Sequence, residues 1–113
     1  MSYYRIQDYP AHELLDGPQV SYSYLDESAE PRSGKSVMDS YEGLVAYMAT
    51  VGIAIDWDNA ILVELDGTYS DDEDEDAAHG AELIHPTEII AVTPLAETSF
   101  FADVDAYLTA NAA

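Results

Sequence analysis

The sequence predicts an α+β fold: a small, mostly antiparallel β-sheet of about four strands with helices packed on one face. Three observations lead there. Stretches with the two-residue period of strands and stretches with helical spacing share one chain of 113 residues. Short connections containing Gly and Pro join them, with no repeat and no linker long enough to divide two domains. Hydrophobic residues make up 48% of the chain, well above what a disordered acidic tail carries. A single domain over residues 1–113 is expected, with one small core.

In chain order, Pro10 suits the first turn of a helix and Gly17-Pro18 ends it, so residues 10–16 read as a short helix. Val20, Tyr22 and Tyr24 alternate with Ser21 and Ser23, the pattern of a strand with one aromatic face. Residues 26–36, with Pro31, Gly34 and several serines, read as a loop. The clearest helix covers residues 40–51. Asp39 is placed to cap it, Glu42 follows three positions later, and Tyr41, Leu44, Val45, Met48 and Val51 form one apolar stripe that Gly52 ends. From Ala60 to Asp66, Ile61, Val63 and Leu65 alternate with Leu62, Glu64 and Asp66, a strand that Gly67 breaks. An exposed acidic loop over residues 67–80 follows. Residues 81–85 and 88–93 read as two strands meeting at Pro86, an antiparallel pair. Phe100, Phe101, Val104, Tyr107 and Leu108 recur at helical spacing after Ser99, predicting a last helix over 99–110.

Charge is the property that sets this chain apart. Twenty-three acids stand against Arg5, Arg32 and Lys35, for a formal net charge of −20. Residues 36–113 hold seventeen of the acids and no Lys or Arg, so that part of the chain has no internal cation to pair with. Six carboxylates run consecutively: Asp71, Asp72, Glu73, Asp74, Glu75 and Asp76. Burying an unpaired carboxylate is strongly disfavoured, so the run is expected in water or against a positive partner. Solubility alone is served by a net charge of magnitude about 2–8, and the excess calls for another reason.

Several classes of function fit poorly. Without cysteine there is neither a disulfide nor a thiolate zinc site, and His12, His79 and His85 lack ligand spacing. Asp71, Glu73, Glu75 and Glu82 occupy the first, third, fifth and twelfth places of a calcium loop, but Asp76 stands where that loop needs glycine. Neither a metal nor a cofactor is expected. Ser33-Gly34-Lys35-Ser36 lacks the first glycine of a phosphate-binding loop, and no nucleophile or dinucleotide motif is present, so the expectation is a non-enzymatic protein. Binding phosphates takes Lys and Arg, which argues against direct contact with nucleic acid or with an anionic membrane surface. The longest uncharged stretch, residues 44–55, is shorter than the twenty or so residues that span a bilayer, and no signal peptide is visible. A cytoplasmic protein is expected.

The acids themselves support a positive reading. Duplex DNA carries about one negative charge per 1.7 Å of axis, so twenty charges correspond to roughly 34 Å, near the width of a domain this size. Alternate strand residues lie about 6.6–6.8 Å apart, a phosphate-like spacing for Glu64 and Asp66. The acidic run, with Glu82 and Glu88 on outer strands, is placed to continue that track. Asp56 and Asp58 flank Trp57, an aromatic suited to anchoring a contact. In size, lack of cysteine, acidity, richness in Tyr and the Asp-Asp-Glu-Asp-Glu-Asp run, the chain resembles small DNA-mimic inhibitors of the phage antirestriction and anti-CRISPR type. The resemblance implies a monomer or homodimer that occupies the DNA-binding channel of a basic protein: a nuclease, a CRISPR effector or a repressor. The residues expected to meet that partner are Asp56, Asp58, Glu64, Asp66, Asp71, Asp72, Glu73, Asp74, Glu75, Asp76, Glu82 and Glu88. The alternative is a generic or salt-adapted acidic domain with a structural or protein-interaction role, which the excess of Asp over Glu and the near absence of Lys also fit.

Overall fold

The computed structural model describes residues 2–23 and 28–112. The strands are β1 (Tyr3–Gln7), β2 (Val20–Ser21), β3 (Arg32–Ser33), β4 (Lys35–Val37), β5 (Ile61–Tyr69) and β6 (Glu82–Pro94). The helices are α1 (Tyr41–Thr50), between β4 and β5, and α2 (Phe100–Ala110), after β6. Short 3-10 turns occupy Ala11–Leu15, Trp57–Asn59, Ala77–His79 and Leu95–Glu97. The main sheet is antiparallel with strand order β1-β5-β6-β4, while β2 and β3 form a separate short ladder. With two α-helices against this sheet the fold is α+β.

The sheet curls until its two outer strands meet. Tyr4 N–H donates to Met38 O at 2.8 Å and Met38 N–H donates to Tyr4 O at 2.9 Å, one residue beyond β4. Strand periodicity then divides the apolar side chains between two faces. Tyr3, Val37, Val63, Leu65 and Ile84 cluster on one face with Ala11 and Leu14 from the first 3-10 turn. Neither helix contributes to this cluster, yet Val63, Leu65 and Ile84 have no solvent exposure. It is therefore the inside of the curl, plugged by the 3-10 turn. On the outside, Ile6 and Met38 pack with Leu44 and Val45 of α1, Leu95, and Phe100 and Val104 of α2. Phe100 is fully buried and meets Tyr41 edge-on, with ring centroids 6.3 Å apart.

Several local expectations change. β1 has no counterpart in the sequence reading, because its alternation is masked: Tyr3 buries inside the curl while Tyr4 and Ile6 pack outside, so both faces are needed. Residues 10–16 yield a 3-10 turn rather than an α-helix. The strand expected around Val20, Tyr22 and Tyr24 is only Val20–Ser21, with Tyr22 exposed, and Tyr24 lies outside the described residues. The expected loop over 26–36 contains β3 and β4, whose pairing comes from Val20–Ser21 and from β6. The cap of α1 is Ser40, not Asp39: its Oγ accepts the Gly43 N–H at 2.9 Å. Gly52, with φ +92°, does follow the helix end.

The largest correction concerns the central hairpin. β5 does not stop at Gly67 but runs to Tyr69, and the two strands expected over 81–85 and 88–93 are one strand, β6, that begins at Glu82 and pairs along β5. Gly67 is required by close approach: a Cβ there would lie 2.5 Å from His85 O and 2.9 Å from Ile84 Cδ1. Pro86 faces Gly67 across a register shift, beyond the last β6 residue that pairs with β4. A bulge at the end of a ladder is where a strand accommodates a residue without an N–H.

Candidate functional site

The acidic run lies in the connection between β5 and β6, and it is fastened to the body of the protein. Ser70 Oγ donates to Ser33 O at 2.7 Å and accepts the Asp72 N–H at 3.0 Å. Asp72 Oδ2 in turn accepts the Ser33 N–H at 2.6 Å, so the start of the run is tied to β3. Asp74 Oδ1 accepts the Asp76 N–H at 2.8 Å, and Asp76 Oδ2 accepts the hydroxyl of Tyr47 on α1. Glu75 Oε2 accepts the Ser23 hydroxyl at 2.7 Å and lies 3.7 Å from the Arg32 guanidinium.

The six carboxylates therefore do not form the uniformly exposed loop expected. Asp74 is 9% exposed and Asp76 7%, and Glu75 is half-buried. Burial is tolerated because amide and hydroxyl donors reach the buried oxygens, a solution that the expectation from charge alone leaves out. Asp71, Asp72 and Glu73 remain exposed. The result is a rim with three exposed carboxylates, of which Asp72 also fastens the run to β3, and three more enclosed ones that anchor it. Tyr47 is the residue sequence reasoning missed. It lies off the predicted apolar stripe and twenty-nine positions from Asp76, so no local signal connects the two.

A second set lies on the hairpin itself. Glu64 and Asp66 continue, on β5, the outer face that Leu62 presents to the helical core. In register, Asp66 stands opposite Glu88 and Glu64 opposite Ala91. Three carboxylates thus share a patch of the sheet's outer face, beside Tyr4 and Leu62 of the helical core. Like charges directly opposite one another on adjacent strands are destabilising, so this arrangement carries a cost within the fold.

Glu82 does not extend that patch. It stands opposite Val37 and, two residues from Ile84 on the same strand, shares their inward face. Its Oε2 is buried with no hydrogen-bond partner among the described residues, and burial, followed by the charge of Asp39, raises its carboxyl above the usual range. Its charge also acts on Tyr3, whose hydroxyl is pushed up to about 12, mainly by a hydrogen bond with Tyr69 and by burial.

Asp56 is also largely structural. Its carboxylate accepts the Asp58 N–H at 3.2 Å and the Asn59 side-chain amide at 2.7 Å, closing the turn that leads into β5. Its own N–H donates to Asp8 Oδ2 at 2.8 Å. Asp58 is exposed, whereas Trp57 is half-buried and packs edge-on against Phe101 with centroids 5.5 Å apart. β5 joins these acids to the rim: nine residues at roughly 3.3 Å each place Asp58 and Asp71 at opposite ends of one strand, with Glu64 and Asp66 between.

Among the described residues, no three Asp, Glu or His side chains come together in a way that would hold a metal ion. A cleft of about 610 Å³ lies between α1, residues 51–55 and the Tyr4–Met38 junction. Its lining is mostly apolar, with Arg5 its one charged residue. Arg5 itself is engaged by neutral acceptors, Gln7 Oε1 at 2.7 Å, Ser36 O at 2.9 Å and the Tyr9 hydroxyl at 3.1 Å. No helix among the described residues is long and apolar enough to cross a membrane. The chain matches no family model, no curated protein and no solved structure. Geometry and charge alone bear on its function.

Proposed function

We propose that this chain is a non-enzymatic acidic binding protein that takes the place of duplex DNA on a basic DNA-binding protein in the cytoplasm, acting as a monomer or homodimer. The partner class is a nuclease, a CRISPR effector or a repressor. The observation that carries the reading is the fastening of the acidic run. Asp71, Asp72 and Glu73 face solvent from a loop held by Ser33, Ser70, Tyr47 and Ser23. A stand-in for a polynucleotide needs its anions already in place, since ordering flexible side chains on binding costs about 0.5–1.5 kcal/mol each. Glu64, Asp66 and Glu88 extend the anionic surface along the hairpin. The longest dimension of the molecule is 39 Å, and duplex DNA of that length carries about 23 phosphates, close to the net charge of −20.

The experiment is capture on immobilised protein followed by elution with duplex DNA. We expect a basic DNA-binding protein to be retained, released by DNA, and held less tightly by the variant D71N/D72N/E73Q. Retention that DNA does not disturb removes this reading. A second reading has its own observation: exposed acids such as Glu13, Asp16, Glu42, Glu97 and Asp105 lie on elements away from the hairpin. That dispersal is what a salt-adapted surface shows, and a fold that collapses below about 0.1 M salt, where screening falls away, would favour it.

A further inference from the structure

We propose that the free edge of β6, over residues 87–93, is a docking site for an extended basic segment of a partner protein, which adds to the sheet as a further strand. β4 pairs with β6 only as far as Ile84, and beyond it β6 pairs, among the described residues, with β5 alone. No backbone hydrogen bond from residues 87–93 leaves in the other direction among the described residues. Sheet edges are usually blunted by short length, proline or lysine. Here Pro86 and Pro94 bracket the run Thr-Glu-Ile-Ile-Ala-Val-Thr, which contains neither proline nor lysine; it takes up the two register shifts against β5, at Thr87 and Ile90, and leaves Ile90 and Val92 each 46% exposed. The edge offers both unpaired backbone groups and apolar side chains.

Charge selects the occupant. Glu88 is exposed on the outer face of this edge with Asp66 opposite it on β5, and Glu64 lies behind Ala91. Neighbouring strands are about 4.8 Å apart, so a Lys or Arg on an added strand reaches Glu88 directly and reaches Glu64 over the small side chain of Ala91. Aliphatic side chains on the alternate positions of that strand fall on the face of Val92. A second copy of this chain would instead bring Glu88 and a net charge of −20 against their equals, a repulsive pairing. The fitting segment alternates basic and aliphatic residues, and strand addition supplies its main-chain affinity. This inference rests on the partner being basic, but not on its binding DNA.

The test is titration of the isotopically labelled protein with a short synthetic peptide alternating Lys and Val, read by amide shifts and amide exchange. We expect shifts and slowed exchange at residues 87–93. Methylating alternate backbone nitrogens of the peptide should weaken binding about tenfold, the loss of one or two net hydrogen bonds. A Glu-Val peptide should not bind, and the exposed-site variant E88K should weaken the Lys-Val peptide. Shifts confined to residues 71–76, or affinity indifferent to backbone methylation, would overturn strand addition in favour of charge attraction alone. Self-association through residues 87–93 would overturn the assignment of the occupant. Peptide binding at this edge, with no partner displaced by DNA, would leave this inference standing and remove the DNA-mimic reading.

Discussion

Asp76 is 7% exposed and accepts a hydrogen bond from the Tyr47 hydroxyl across twenty-nine residues of chain. Asp103 is held in the same manner by the hydroxyls of Tyr41 and Ser99, which lower its carboxyl below the usual range. In a chain with three Lys and Arg, phenol and alcohol hydroxyls supply donors that cations supply elsewhere. Tyr47→Phe is expected to destabilise the fold by about 1.5–3 kcal/mol, the worth of one hydrogen bond to a charged acceptor, measured as a shift in urea midpoint. Glu82 behaves in the opposite sense. Its carboxyl is raised, so the folded state holds the proton more tightly than the unfolded chain, and stability falls as pH rises from the unfolded value of about 4.3 through the folded one. Glu82→Gln is therefore expected to raise the melting temperature at pH 7 and to give no gain at pH 4. An equal gain at both pH values would show that burial of the charge is not its cause.

At the level of elements, what the sequence made legible was whatever is decided locally. The apolar stripe of α1, the spacing of Phe100 and Val104 in α2, and the alternation of Ile61, Val63 and Leu65 in β5 each declare their period without reference to the rest of the chain. β1, β3 and β4 do not, because short strands of Tyr, Arg, Ser and Lys are set by their partners. Gly67 and Pro86 read as breakers by their usual behaviour, yet they face one another at an irregularity within a single long hairpin. Their meaning depends on the neighbouring strand, which no local pattern contains. Gly67→Ala tests this directly: with His85 O 2.5 Å from the added Cβ, the hairpin must shift. We expect a loss of about 1–3 kcal/mol by denaturant titration, the usual range for overpacking. The candidate site was legible as composition, in the run at 71–76 and in the pair Glu64 and Asp66. Its division into anchoring and outward carboxylates, and the inward turn of Glu82, depend on tertiary contacts with Ser33, Tyr47 and Val37.

For the molecule as a whole, seventeen acids with no Lys or Arg across residues 36–113 imply a fold that works against its own charge. Raising monovalent salt from 0.01 to 0.1 M shortens the screening length from about 30 to about 10 Å, so the melting temperature should rise over that interval. On the DNA-mimic reading the protein nonetheless stays folded at the lower salt, because the buried clusters on both faces of the sheet do not depend on screening. The same charge should govern association. A competition measurement tests the central claim most directly: fluorescence anisotropy of a labelled DNA duplex bound to the purified basic partner, titrated with this protein and with D71N/D72N/E73Q. We expect the parent protein to displace the duplex and the variant to need a higher concentration, with the difference shrinking as salt rises. A ternary complex in which the duplex stays bound, or equal displacement by both proteins at low salt, would contradict the claim that this ordered acidic rim occupies the place of DNA.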